Sequence, residues 1–141
     1  MAIKPEPELQ ELTRAIGLLV RRMRAEGRAH ELSLSESTVL ARLDREGPAT
    51  TADLARAEGV KPQSMGATVA VLAKSGMVAR RPHPTDGRQR LIALTAKGTA
   101  VRKSMKDARH TWLAKRVDGL DKRERETLFR AGEILRRLAE Q

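Results

Sequence analysis

Cysteine and tyrosine are absent from the 141 residues, and Trp112 and Phe129 are the only aromatic side chains. Without cysteine there is no disulfide, no thiol redox switch and no thiolate metal site. With two rings, the core must come from Leu, Ile, Val, Ala and Met. The apolar fraction of 40% is enough for a core but lean, which points to apolar surface shared between subunits. Long apolar runs are missing too. Nothing approaches the ~18 residues of a membrane span, and the nearest stretch, Met65 to Ala73, is short and interrupted by Thr68. The succession Pro5, Glu6, Pro7, Glu8 does not resemble a signal peptide. A cytoplasmic protein with no membrane partner is expected.

Acidic residues are outnumbered, 18 Asp plus Glu against 28 Lys plus Arg, for a formal charge of +10. Such an excess favours a polyanionic partner, with a merely basic soluble surface as the alternative. His30, His83 and His110 are too scattered for a metal site, and no His, Asp or Glu cluster has ligand spacing. Nothing places Ser, His and Asp as a triad. The chain is therefore expected to hold no metal or cofactor and not to be an enzyme.

The periodicity predicts mostly helices. Leu9, Leu12, Ile16, Leu19, Val20 and Met23 form one helical stripe ending near Gly27. A second helix is predicted over 35–46, with Val39, Leu40 and Leu43 inward and Gly47-Pro48 as its stop. Thr50 or Thr51 caps a short third helix ending at Gly59, and Pro62 suits the first turn of a fourth. After Gly76 the period shortens, and MVARR and RLIALT read as two strands of a hairpin. A long helix from about Thr95 carries Val101, Met105, Ala108 and Trp112, and Gly119 separates it from a last helix over about 121–139.

Three helices followed by a basic hairpin form a pattern with a physical use. Ala55 and Gly59 permit a close, sharp helix–helix turn. The fourth helix carries Lys61, Gln63, Ser64 and Thr68. Gln pairs with adenine, Ser and Thr bond bases or phosphates, and a helix N-terminus favours a phosphate oxygen. Thr68 has the core as an alternative destination. The hairpin, RRPHPTDGRQR, holds four arginines and one aspartate. Arg88 is the expected tip for the narrow minor groove, Asp86 could brace an arginine, and Gly87 gives the turn its backbone freedom. Arg80, Arg81 and Arg90 would meet phosphates lower on the strands, and His83 a phosphate or solvent. Read alone, the loop could be only a solvated charged turn.

The segment LARAEGVKPQSMGATVAVLAKSGMVARRPHPTDGRQRLIALTAKG, residues 54–98, resembles MarR-family transcriptional regulators. KSGMVAR, the Asp86-x-Arg88 wing and LTAKG are its most specific pieces, and the flanking helices match in order and length. The resemblance implies a mainly α fold with a small β-hairpin wing: a winged helix–turn–helix over 33–95, and a helical dimerisation region formed by 1–32 and 96–141. It implies a homodimer on a pseudo-palindromic double-stranded DNA operator, more often repressing than activating, and released by a small, often aromatic and anionic, effector. It makes Arg88 the minor-groove arginine, Asp86 its brace and Arg80 the basic residue closing the first wing strand. Ala67 stands where many members carry a polar or basic side chain, which shifts expected base readout to Gln63 and Ser64. Trp112, His110 and His30 are candidate effector residues, with helix packing the alternative for Trp112. A non-specific architectural DNA binder or a winged-helix protein-interaction module remain the competing readings.

Overall fold

A computed structural model describes residues 6–27 and 32–141. The elements run α1 (Pro7–Glu26), α2 (Leu34–Glu46), β1 (Ala49–Thr50), α3 (Thr51–Glu58), α4 (Pro62–Lys74), β2 (Val78–Pro82), β3 (Arg90–Leu94), α5 (Ala96–Asp118) and α6 (Lys122–Ala139). Local chemistry sets the helix starts. In α2 the Ser33 hydroxyl accepts the Glu36 N–H at 3.1 Å while Glu36 accepts the Ser33 N–H at 3.3 Å. Asp121 and Glu124 repeat this reciprocal cap on α6, at 2.8 and 3.1 Å. Pro62 occupies the first turn of α4, where its missing N–H costs nothing.

The sheet has three antiparallel strands in the order β1-β3-β2. The wing hairpin pairs Val78 with Leu94, Arg80 with Ile92 and Pro82 with Arg90. On the other side of β3, Ala49 and Thr50 face Ile92 and Leu91. This two-residue strand was not expected from the sequence. It is too short to show a period, and it exists because β3 offers it a partner.

The chain divides into two compact units, one from Gly27 to Asp107 and one holding α1 with Ala108–Gln141. The first, winged unit is built around Val39, Leu40, Leu43, Leu54, Met65, Val69, Leu72 and Ile92. Met105 is 2% exposed in the same core, so the first half of α5 belongs to this unit, beyond the residue 95 expected as its limit. Two ion-pair sets tie it together. Arg42 of α2 donates to Glu58, in the last turn of α3, at 2.7 Å and to Glu46 at 3.0 Å, and these bonds raise its already high pKa. Asp44 faces Arg102 at 3.5 Å and Lys106 at 3.8 Å on α5.

In the second unit, α1 and α6 bury no residue. Leu12, Ile16 and Leu19 on α1, and Leu128, Leu135 and Leu138 on α6, are exposed. Trp112 is half-buried, with the guanidinium carbons of Arg22 and Arg116 5.8 and 5.5 Å from its ring centroid.

Candidate nucleic-acid interface

The α3–α4 corner is made by a left-handed glycine. Gly59 has φ +65°, and the N–H of Val60 returns to the Ala55 carbonyl at 3.0 Å. Ala55 is 2% exposed, the small residue that the close crossing needs. At the other end of α3, the Thr50 hydroxyl accepts the Asp53 N–H at 3.1 Å. A side-chain hydrogen bond with Thr50 holds the Asp53 carboxyl below its usual pKa, and the charge of Arg56, which pairs with Asp53, adds to the effect.

Helix α4 turns Met65, Val69 and Leu72 into the core. Lys61 precedes it in extended conformation and gives no side-chain cap. The first helical bond runs from Met65 N–H to the Lys61 carbonyl at 3.1 Å, which leaves the Gln63 and Ser64 N–H groups at an open helix start. Lys61, Gln63 and Ser64 are exposed there. Thr68 is half-buried, its hydroxyl donating to the Ser64 carbonyl at 3.2 Å. It lines a small groove of about 200 Å³ with Leu34, Thr38 and Val60, at the edge of the outward face rather than in its middle.

The far end of α4 explains the two sequence motifs that flank the wing. Gly76 takes φ +77°, and Met77 N–H closes the helix on the Leu72 carbonyl at 2.9 Å. Lys97 donates to the Ser75 carbonyl at 2.7 Å and Thr95 to the Gly76 carbonyl at 2.5 Å. The Thr95 hydroxyl also accepts the Gly98 N–H at 3.1 Å. A Cβ on Gly98 would lie 2.0 Å from the Met77 carbonyl oxygen. KSGM and LTAKG are thus the two halves of one joint, which holds the end of α4, the root of the wing and the start of α5.

The wing tip differs from expectation in three details. Asp86 does brace the turn, but through backbone and amide. Its carboxylate accepts the Arg88 N–H at 3.0 Å and the Gln89 amide at 3.2 Å, not a guanidinium, because the short side chain folds back onto its own turn. Gly87 has no positive φ and open space around its Cα, so the turn does not depend on glycine's freedom. Arg80 does not close the first strand, since pairing continues to Pro82. His83 is also tied into the turn, its Nδ1 accepting the N–H of Asp86 at 3.0 Å and of Thr85 at 3.3 Å.

Strand register sorts the arginines. Arg80 and Arg90 share a face and line a cleft of about 420 Å³ with Thr51, Gln89 and Ile92. Arg81 lies on the opposite face, by strand alternation. None of Arg80, Arg81, Arg88 and Arg90 forms an ion pair with a carboxylate among the described residues. Thr51 and Gln89 were missed in the sequence, because only the fold brings the start of α3 to the wing. Of the candidate effector residues, His30 lies outside the described residues. His110 lines a cavity of about 300 Å³ with Leu113, Val117, Arg125 and Phe129, and Trp112 does not.

Comparison with known proteins agrees with this geometry. The MarR family profile matches residues 30–89. An HTH-type transcriptional regulator of Mycobacterium bovis is 37% identical over 131 residues, covering 93% of this chain and 92% of its own length. Among solved structures, a Mycobacterium tuberculosis protein is 28% identical with a TM-score of 0.82, covering 97% of both chains. A MarR family protein from Bacillus stearothermophilus has the same fold, with 22% identity and a TM-score of 0.80 over 99% of this chain and 100% of its own. With its helix–turn–helix, basic wing and full-length likeness to such regulators, the chain belongs to the MarR family of DNA-binding transcriptional regulators.

Proposed function

We propose that this regulator acts in the cytoplasm as a homodimer on a pseudo-palindromic double-stranded operator. Two α4 helices enter successive major grooves and the wings reach adjacent minor grooves. The carrying observation is the wing: four arginines without a carboxylate partner among the described residues, beside a helix–turn–helix whose α4 begins uncapped, with Lys61 exposed just before it and Gln63 and Ser64 exposed in its first turn. Arg88 enters the minor groove, Arg80, Arg81 and Arg90 meet phosphates, and Asp86 and His83 hold the turn. Thr68 contributes from the edge of α4. Helix α1, the second half of α5 and α6 serve as the dimerisation region, a reading supported by the unburied apolar faces of α1 and α6.

The output is repression, relieved by a small aromatic or anionic molecule. The cavity beside His110 supports this reading. It is near the lower end of ligand-pocket size, has Phe129 and Arg125 in its wall, and Arg125 Nε is buried with no hydrogen-bond acceptor among the described residues.

A gel-shift with the DNA upstream of the protein's own gene, against unrelated competitor, tests the DNA reading. A specific band supports an operator-binding regulator. Equal competition by any DNA would make the chain an architectural binder, and no shift at all would favour a protein-interaction module. A thermal-shift screen of small aromatic acids, with each hit returned to the gel-shift, tests the effector. Hits that leave the band unchanged would remove ligand-controlled repression.

A further inference from the structure

Helix α4 is chemically unlike the rest of the molecule. One third of the chain is charged, yet α4 carries a single charged residue, Lys74. No Asp or Glu occurs between Glu58 and Asp86, while Lys61, Lys74, Arg80 and Arg81 all fall in that interval. The surroundings of α4 are therefore suited to phosphates, but the middle of its outward face, between Gln63 and Lys74, is apolar. With Met65, Val69 and Leu72 inward, the helical period turns Gln63, Ala67, Ala70, Val71 and Lys74 outward, and all five are exposed. Val71 is 49% exposed. A β-branched residue at an exposed helix position is a poorer helix former than Ala, Lys or Glu. Its methyl groups do not serve the core, which is closed beneath it.

The inference rests on α4 being the helix that enters the major groove. There, the one apolar group that a base pair presents is the C5-methyl of thymine. An apolar side chain placed against a G·C pair instead dehydrates N7, O6 or N4 groups without giving them a partner, which is unfavourable. We infer that Val71 is a specificity-determining residue that reads thymine C5-methyl groups, with Ala67, one turn earlier on the same face, leaving room for the close approach. Gln63 then supplies polar readout at the start of α4, and Val71 supplies methyl readout deeper along it. The expected operator half-site contains a thymine whose methyl is contacted at one fixed position.

The test uses duplexes selected by the intact protein from a random-sequence pool, with each thymine replaced in turn by deoxyuridine. Deoxyuridine keeps the pairing and every hydrogen-bonding group and removes only the methyl. Fluorescence anisotropy is expected to show binding about fourfold weaker at the contacted thymine, the equivalent of ~0.8 kcal/mol for one buried methyl, in both half-sites. With Val71→Ala, which should keep its helix signal by circular dichroism, the same replacement is expected to cost less than twofold. The inference is overturned if no thymine shows more than a twofold effect, or if Val71→Ala retains the full penalty. If selection enriches no sequence, the operator reading fails and this inference with it. If a sequence is enriched and deoxyuridine is neutral throughout, methyl readout alone fails.

Discussion

Arg88 has a held backbone and an uncommitted side chain: Asp86 fixes its N–H, and no carboxylate among the described residues pairs with its guanidinium. A cation arranged this way keeps its charge for an outside anion without first breaking an internal pair. Arg88→Ala is therefore expected to weaken operator binding at least tenfold, ~1.4 kcal/mol or more, and to lower the salt dependence by about one ion per site. Size-exclusion chromatography with light scattering should show an unchanged assembly; an unchanged dissociation constant would remove Arg88 from the interface. Gly87→Ala should leave binding within twofold, since neither φ nor space demands glycine there. The charge and position of these residues were legible in the sequence. The hydrogen bonds were not: Asp86 acting on backbone and His83 accepting two N–H groups depend on turn geometry that residue types alone do not specify.

Helices and strands divide by whether their signal is local. Periodicity, Pro62 and the left-handed Gly59 marked the α3–α4 corner in advance, because each acts within a few residues. The strand Ala49–Thr50 and the Gly98 contact were invisible, because their partners, Ile92 and Met77, lie far along the chain. Gly98→Ala tests the second case. A Cβ 2.0 Å from a backbone carbonyl forces the α4–α5 joint apart, and a loss of about 1–3 kcal/mol is expected in urea unfolding. Thr50→Val tests a local case. Losing the cap on α3 should cost ~1 kcal/mol near neutral pH. The lowered Asp53 pKa adds a contribution that is present above the unfolded carboxylate range, about 3.9, and is lost as pH falls through the folded value. The deficit of Thr50→Val should therefore narrow in acid; a deficit that widens would contradict the Thr50–Asp53 bond.

At the scale of the whole molecule, the lean apolar composition pointed to apolar surface shared between subunits, and the apolar faces of α1 and α6 are unburied in the single chain. Leu135→Asp is expected to yield a monomer by light scattering and to abolish the concentration dependence of the melting temperature that an assembled form shows. A persistent dimer would move the subunit interface away from α6. One consequence of α4 reaches past this single protein. Its anchors, Met65, Val69 and Leu72 inward and the Lys97–Thr95 joint at its end, are separate from the residues it turns outward. The outward positions can thus be exchanged while the helix stays seated, so, with α4 reading the major groove as proposed, a gene duplicate could drift to a new target sequence in a few steps without passing through an unfolded intermediate.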